Sequence, residues 1–323
     1  MKRVVFMGSS EFAVPSLKAL LGKSYDVALV VTREDKPKGR GLKLSQTPVK
    51  EFAVAAGLRV FQPKTLKNEE AQNVIRAVAP DVIIVAAYGR ILPKEVLEIP
   101  PRLASNHYGC LNLHGSLLPK FRGAAPVQWA IIKGEKETGV TLMAMDEGLD
   151  TGPILAQEKV PISDEDTSET LVAKLADAAA SLLIDNIEGV LSGLVKPVPQ
   201  DETVVSFAPI IKKEDGIIDW QQDAQDIERF VRGMFPWPCA YTFLQDGQML
   251  RVLPKAFVVE EAFVSEHKTP GQVIKIDEEG MLVRCGRGGL LVKTVQKEGK
   301  RAMTPKELLI GRQIRVDEVF QKK

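Results

Sequence analysis

The first half of the chain alternates short apolar runs with segments of amphipathic pattern. The runs are typical of buried strands and span residues 4–7, 27–31, 82–86, 110–114 and 140–145. Between them, apolar residues recur at helical spacing in residues 12–21, 48–56, 68–78 and 125–133. Strands separated by helices of this length predict right-handed βαβ crossovers, and therefore an α/β domain built on a mainly parallel sheet.

The pattern changes after a longer helix, which begins near Asp166 and Glu169, two residues spaced as in a capping box. Residues 194–203 contain two prolines and no periodicity, which is typical of a linker. Beyond one more helix at 224–234, several short alternating segments follow without helices between them. They span residues 240–243, 250–252, 272–276, 281–284 and 290–295. This pattern predicts a small antiparallel barrel, so we expect domains at 1–193 and 207–323, joined by a linker at 194–206.

Composition narrows the class of protein. Apolar residues make up 45% of the chain and charged residues 26%, as in soluble globular proteins, and no apolar run approaches the ~20 residues that span a bilayer. The three cysteines, Cys110, Cys239 and Cys285, are far apart and odd in number, which favours free thiols in a reducing compartment. The chain begins without the pattern of a signal peptide. We therefore expect a cytoplasmic protein.

The net charge of +1 hides an uneven distribution. Residues 281–323 hold eleven Lys or Arg against four Asp or Glu, and residues 33–43 hold five cations against two acids. Such segments are either solvated surface or a contact for a polyanion such as RNA, and composition alone leaves both open. The second segment follows a predicted strand, where loops commonly carry binding function.

The strongest chemical signal lies where the strand at 110–114 ends. Side chains alternate along a strand, so Asn112 and His114 face the same way. An amide and an imidazole at that edge can hold the oxyanion that develops when a carbonyl is attacked. Asp150, in a turn after the strand at 140–145, is a third candidate, because a carboxylate near His114 would favour the imidazolium form.

Other chemistries fit less well. Gly8-Ser9-Ser10 follows the first strand, and neither G-x-G-x-x-G nor a P-loop is present, so a dinucleotide or a triphosphate is not expected. Ser116 with His114 and Asp150 has the composition of a hydrolase triad, but it lacks G-x-S-x-G. The His and Cys residues lack the spacing of metal ligands, so no metal site is expected.

Several motifs together resemble those of the methionyl-tRNA formyltransferases. The motifs are Phe6-Met-Gly-Ser-Ser-Glu-Phe-Ala-Val-Pro-Ser16, the Lys38-Gly-Arg-Gly41 loop, Asn112-Leu-His-Gly-Ser-Leu-Leu-Pro119, Phe121-Arg-Gly-Ala-Ala-Pro-Val-Gln-Trp129, Gly148-Leu-Asp-Thr-Gly152, Lys212-Lys-Glu-Asp-Gly-Ile-Ile-Asp-Trp220 and Phe235-Pro-Trp-Pro238. The resemblance runs over almost the full chain. The Asn-x-His…Asp set by itself is shared with the wider folate-dependent formyltransferases.

The resemblance implies a Rossmann-like N-terminal domain and a C-terminal barrel that resembles an OB fold. It also implies transfer of the formyl group of 10-formyltetrahydrofolate to the α-amino group of methionine on initiator methionyl-tRNA. The implied site residues are, as catalytic groups, Asn112, His114 and Asp150; as the folate site, Arg90, Ile91, Leu92, Ser116, Leu117, Leu118 and Pro119; and as tRNA contacts, Lys38, Arg40, Lys43, Lys212 and Lys213. We expect a monomer without a membrane or metal partner.

The chain departs from the family pattern in a few places. Residues 104–107 are expected to be a small insertion, Cys239 stands where the family has glycine, and Cys110 and Gly115 are minor substitutions. Two alternatives remain open. One is a formyltransferase acting on a small amine, such as an amino sugar or a purine-pathway amine, and the other is a non-catalytic RNA-binding protein on this scaffold.

Overall fold

The computed structural model describes residues 2–38, 43–100, 109–264 and 267–321. Contacts along the chain divide it into two compact units. The first unit comprises residues 1–126, 137–161 and 172–209, and the second comprises 127–136, 162–171 and 210–323.

The described residues form strands and α-helices, each numbered in chain order. The strands are β1 Arg3–Gly8, β2 Asp26–Val31, β3 Lys36–Lys38, β4 Lys43–Ser45, β5 Val60–Phe61, β6 Val82–Ala86, β7 Cys110–His114, β8 Arg122–Gly123, β9 Glu137–Ala144, β10 Ile154–Pro161, β11 Phe207–Ala208, β12 Ala240–Phe243, β13 Met249–Val252, β14 Ala256–Val259, β15 Val273–Asp277, β16 Gly280–Arg284, β17 Gly289–Val292, β18 Val295–Lys297 and β19 Ala302–Met303. The helices are α1 Val14–Gly22, α2 Pro48–Ala55, α3 Glu69–Arg76, α4 Lys94–Leu97, α5 Pro126–Ile132, α6 Ser168–Leu191, α7 Ala224–Met234 and α8 Pro305–Ile310.

A seven-stranded sheet organises the first unit, in the order β10-β9-β7-β6-β1-β2-β5. The strands from β7 to β5 pair in parallel, whereas β9 runs antiparallel to both β7 and β10. Because parallel strands share an edge at their carboxyl ends, the residues that follow β1, β2, β6 and β7 emerge on one side of the sheet.

The central strands are apolar throughout because both of their faces are covered. Along β1 the side chains of Val4 to Met7 are fully buried, and β6 is equally closed to solvent. On one face, alternate residues of these strands, such as Val5 and Ile83, pack with Ile75 of α3. Burial on both faces produces the continuous apolar runs that make such strands recognisable in the sequence.

The second unit carries two antiparallel sheets, in the orders β12-β13-β18-β19 and β14-β17-β16-β15. Helix α7 packs on β14 and β17, and α8 packs on β15 and β16. The mainly parallel Rossmann-like domain followed by antiparallel strands confirms the predicted fold class.

Two regions differ from the pattern-based expectation in detail. Strand β10 is not among the predicted strands, because four of its eight positions carry polar side chains or proline at an edge of the sheet. Within the segment expected to be a linker, Val198 exchanges two backbone hydrogen bonds with Ile154, both at 2.8 Å. The proposed domain bounds themselves stay a prediction. Residues 104–107 lie outside the described residues.

Candidate active site

Strand β7 places two polar side chains on one face at the carboxyl edge of the sheet. Asn112 is partly exposed and His114 is buried, while Leu111 and Leu113 between and before them are buried in packing. The alternation expected from the sequence is therefore present. The side chain of Asn112 lies 3.5 Å, from Nδ2 to Oδ1, from the carboxyl group of Asp150.

The turn after β7 fixes the imidazole of His114. The backbone of Phe121 has a φ of +60°, and its carbonyl oxygen lies 2.9 Å from Nε2 of His114. Because a carbonyl oxygen only accepts, Nε2 must carry the hydrogen. Nδ1 is consequently the nitrogen that faces the carboxylate of Asp150, at 3.6 Å from Oδ2.

Asp150 reaches this position through an unusual backbone. Its φ of +53° lies in the left-handed region, which non-glycine residues rarely adopt. The chain then passes so close to β9 that a Cβ on Gly152 would stand 1.8 Å from the carbonyl oxygen of Ala144, so only glycine fits there. The carboxylate is oriented by the backbone N–H of Gly123, which donates to Oδ2 at 2.9 Å.

The three predicted catalytic residues thus converge at one point. The carboxylate of Asp150 lies 3.5 Å from the amide of Asn112 and 3.6 Å from the imidazole of His114, and the side chains of His114 and Asp150 are only 6% and 16% exposed. Hydrogen-bond donors placed in such a sheltered position can stabilise negative charge that develops on a carbonyl oxygen.

Ser116 is not arranged as a nucleophile. Its side chain is fully buried, and its hydroxyl donates to the carbonyl of Lys120 at 2.6 Å. Both ring nitrogens of His114 face other groups, so no base is directed at Ser116. The hydrolase alternative therefore lacks its central hydrogen bond. In the described ranges, no three His, Cys, Asp or Glu side chains come together in a way that could hold a metal ion.

The predicted folate residues lie in two segments near this centre. Arg90 is turned away from it, because its guanidinium donates to the carbonyls of Pro63 and Lys64 at 2.7 and 2.5 Å. The side chain of Ile91 is 81% exposed, whereas Leu92 is buried. In the second segment, Leu118 is buried and precedes a cis peptide bond to Pro119, while Leu117 and Pro119 are partly exposed.

A cleft of about 450 Å³ is lined by residues that follow the first folate segment in the sequence and by residues that precede Asp150. It is lined by Lys94, Leu97, Glu98, Met145, Asp146, Glu147 and Gly148.

The predicted tRNA contacts fall into two sets. Lys38 and Lys43 stand opposite each other where β3 pairs with β4, and Arg40 lies outside the described residues. Lys212 and Lys213 are exposed at the start of the second unit, beside a short 3-10 helix at Glu214–Gly216. The structure thus describes both ends of the basic loop and the lysine pair, each within its own unit.

Cys239 adopts the conformation that glycine favours. Its φ is +67°, its N–H donates to the carbonyl of Met234, and its thiol contacts the carbonyl of Pro236. Burial raises the pKa of the Cys239 thiol. Burial also raises the pKa of Cys110 and that of Cys285, in each case to about 12. The three thiols are free and buried.

Residues that sequence reasoning missed complete the surroundings of Asp150. Gln200 donates to the carbonyls of Asp150 and Gly152, and it accepts from Arg122. These contacts join residues 50 and 78 positions apart. Arg122 lies in a motif that the resemblance already marked, but no local pattern singles out Gln200.

Comparisons with known proteins agree over the full length. A family model for formyl transferases matches residues 1–187, and a model for the formyl transferase C-terminal domain matches residues 210–313. The methionyl-tRNA formyltransferase of Caldanaerobacter subterraneus is 48% identical over 97% of this chain and 97% of its own length. That of Thermodesulfovibrio yellowstonii is 46% identical over 96% of each chain.

Solved structures share the fold at lower identity. The sugar 3N-formyl transferase WlaRD superposes with a TM-score of 0.65 at 20% identity, covering 93% of this chain and 99% of that one. HypX from Aquifex aeolicus, solved with tetrahydrofolic acid, gives 0.61 at 19% identity and covers 99% of this chain and 51% of that one. None of the helices in the described residues has the length and apolar character that a membrane span requires.

Proposed function

This chain belongs to the methionyl-tRNA formyltransferases, and we propose on that premise that it formylates the α-amino group of methionine on initiator methionyl-tRNA. The formyl donor is 10-formyltetrahydrofolate. The observation that carries this proposal is the convergence of Asn112, His114 and Asp150, in a chain that matches its relatives from end to end.

The chemistry is direct transfer. The donor supplies a formyl group attached to nitrogen, and the amine of the methionyl group attacks its carbon. The bond from that carbon to the folate nitrogen then breaks, and the folate nitrogen takes up a proton as tetrahydrofolate leaves, which balances the proton that the amine loses. Asn112 donates from Nδ2 to the carbonyl oxygen as negative charge develops there. His114 contributes Nδ1, because its Nε2 is engaged by the carbonyl of Phe121. Asp150 holds the imidazole oriented through its contact with Nδ1, and it assists removal of the proton that the amine must lose.

The folate donor is proposed to lie along residues 90–92 and 116–119. Arg90 contributes through its main chain, since its guanidinium is tied to two carbonyls. The side chain of Ile91, which is 81% exposed, offers an apolar surface for the donor. Ser116 shapes the opposite wall from inside the turn rather than by a free hydroxyl.

We propose that the end of the tRNA that carries methionine contacts Lys38, Arg40 and Lys43. Its phosphates are proposed to contact the exposed Lys212 and Lys213. Cationic side chains supply the sequence-independent part of nucleic-acid binding. We also propose that the protein acts as a monomer in the cytoplasm, as the free thiols favour.

Formyl transfer to three acceptors tests the proposal. The protein is offered 10-formyltetrahydrofolate with initiator methionyl-tRNA, elongator methionyl-tRNA or free methionine. We expect product with the initiator only. If none of the three is formylated while the folate still binds, the acceptor assignment is wrong, and small amines become the acceptors to examine.

Replacing Arg40 tests the RNA contact. Arg40→Leu should weaken the use of tRNA while folate binding is retained, and the logarithm of the affinity should fall less steeply with salt because a phosphate contact is lost. Arg59→Leu is the matched control, because Arg59 is exposed and precedes β5, at the amino ends of the parallel strands. An unchanged salt slope for Arg40→Leu would mean that the loop is only exposed surface.

A further inference from the structure

Residues 198–208 form a segment that we call the strap, and it runs along the first unit after α6. Its first anchor is the pair of backbone bonds between Val198 and Ile154. Its last anchor is the parallel pairing of β11 with β8, where the carbonyl of Ala208 accepts from Ala124 at 2.9 Å. Between these anchors the strap passes beside the Asp150 turn and beside the turn after β7, where Ser206 accepts from the N–H groups of Phe121 and Arg122.

Gln200 contacts the Asp150 turn from the strap. Its Nε2 donates to the carbonyl of Asp150 at 2.8 Å and to that of Gly152 at 2.7 Å. Both hydrogens of one amide are thus used on two carbonyls of the same turn. Asp150 occupies the left-handed region, which is disfavoured for a residue with a Cβ, so the turn needs outside contacts to keep this shape.

The other end of the same amide is held by Arg122. Oε1 of Gln200 accepts from Nε of Arg122 at 3.0 Å and from Nη2 at 2.7 Å. Arg122 is 3% exposed and also pairs with Glu202, and this hydrogen bond lowers the pKa of the glutamate. Because guanidinium only donates and carbonyls only accept, a single orientation of the Gln200 amide satisfies all of these partners.

These contacts close a ring around the carboxylate. From Asp150 the ring passes through Gln200 to Arg122, continues along the chain to Gly123, and returns by the N–H of Gly123 to Oδ2 of Asp150. The backbone of Asp150 is therefore held by the strap, and its carboxylate is held by β8, the strand with which the strap pairs. A carboxylate fixed at both ends keeps its distance and angle to His114.

We propose that Gln200 is a positioning residue for the transfer reaction: it holds the Asp150 turn in the one shape that aims the carboxylate at His114. The expected effect on kcat rests on the proposed function, whereas the expected effect on the conformation of the Asp150 turn does not. It assigns to the strap a role in the active site, beyond that of a connection between two parts of the chain.

Two substitutions separate the partners of Gln200. Gln200→Met keeps the length of the side chain and removes every hydrogen bond. Gln200→Glu keeps acceptors for Arg122 but cannot donate to both carbonyls. We expect both variants to lower kcat by about 10- to 100-fold, in line with the cost of misplacing a catalytic group. KM for both substrates should stay within a factor of about three, since Gln200 contacts neither.

A double variant distinguishes positioning from a general loss of structure. In an Asp150→Ala background, Gln200→Met should lower kcat no further, because the group it positions is gone. A purely structural role would reduce activity by the same factor in both backgrounds. Gln248→Met is the matched control, since Gln248 lies in an exposed turn of the second unit and its side chain hydrogen-bonds to Asp246, two residues away.

Hydrogen exchange tests the clamp without any substrate. In Gln200→Met, amides of residues 146–152 should exchange at least about tenfold faster, while those of β1 and β6 should be unchanged. Unchanged exchange, an unchanged kcat, a loss confined to KM, or equal losses in both backgrounds would each overturn the inference. A wild-type protein that transfers no formyl group would instead refute the proposed function, and the exchange result would still decide whether Gln200 holds the turn.

Discussion

Two polar clusters in this molecule differ in how tightly their side chains are paired, and the second combines a buried Arg284 with a partly exposed Glu261. In the first unit, Asp150 lies 3.5 Å from Asn112 and 3.6 Å from His114. In the second unit, both oxygens of Glu261 accept from Arg284 at 2.7 Å, and the N–H of Gly288 donates to the same carboxylate. The pair in the second unit is bidentate and short, whereas the side chains around Asp150 are joined by longer contacts.

The comparison shows what short and long hydrogen-bond contacts each do for a carboxylate. A bidentate pair fixes geometry and commits charge: the hydrogen bonds from Arg284 and then from Gly288 lower the pKa of Glu261 to about 2. Long contacts, as around Asp150, leave a side chain free to form its best hydrogen bonds with a reacting group. The surroundings then supply the rigidity, through Gly123, Phe121 and Gln200.

The largest effect we expect is on turnover, from Asn112→Ala. Loss of one donor to a developing oxyanion costs roughly 10²- to 10³-fold in kcat. The midpoint of thermal unfolding should hardly move, because the contact of Asn112 with Asp150 is long. Steady-state kinetics and calorimetry measure both, with Asn73→Ala on the exposed side of α3 as control. An unchanged kcat would remove Asn112 from the mechanism.

Glu261→Gln should give the opposite result. The variant keeps the shape of the side chain but removes the charge that pairs with the buried Arg284, so the midpoint of thermal unfolding should fall. The kcat per folded molecule should be retained, because the pair contacts none of the reacting groups. Glu278→Gln is the control, since its pair with Lys306 is at the surface and contributes little. Equal midpoints for the two variants would refute the contrast.

The pH dependence of that loss sharpens the comparison. Because the pKa of Glu261 is lowered to about 2, its ionised form favours the folded state above the ordinary carboxyl pKa of about 4.3, and this contribution disappears as the pH falls towards 2. The difference in unfolding midpoint between wild type and Glu261→Gln should therefore be full at pH 6 and shrink below about pH 4. A constant difference over this range would contradict the lowered pKa.

The smallest effect is expected at Cys239, which shares the left-handed backbone of Asp150 without its chemistry. Cys239→Gly should relieve about 1 kcal/mol of backbone strain. It should also lose the packing of a small buried side chain and make the unfolded chain more flexible. We expect a net change within about 1 kcal/mol by denaturant unfolding. A much larger loss would show that the contact of the thiol with Pro236 dominates.

The features that could be predicted from the sequence are those that depend on regular strands and helices. Asn112 and His114 could be placed on one face because residues of a strand alternate, and the parallel sheet could be expected from apolar runs separated by helices. Asp150 was recognisable only as a turn after a strand. Its left-handed φ and its distance to His114 depend on the close passage of Gly152 past Ala144, which no local pattern encodes.

Contacts between distant segments were beyond such reasoning. Two prolines and the absence of periodicity indicated a linker at 194–206, yet Gln200 within it reaches Asp150 and Arg122. The pair of Glu261 and Arg284 is equally invisible, since a 3-10 helix supplies one partner and a strand the other. In each case the partner is chosen by the fold, after both segments have been placed.

The strap also determines where the chain could be cut to obtain the N-terminal domain as a separate fragment. A fragment ending at residue 193, the end of the predicted catalytic domain, would contain Asn112, His114 and Asp150 but neither Gln200 nor the two residues that pair with β8. We expect a fragment through residue 209 to retain the hydrogen bonds of the Asp150 turn. During synthesis, likewise, the three side chains proposed to be catalytic leave the ribosome well before Gln200, which hydrogen-bonds to the turn of one of them.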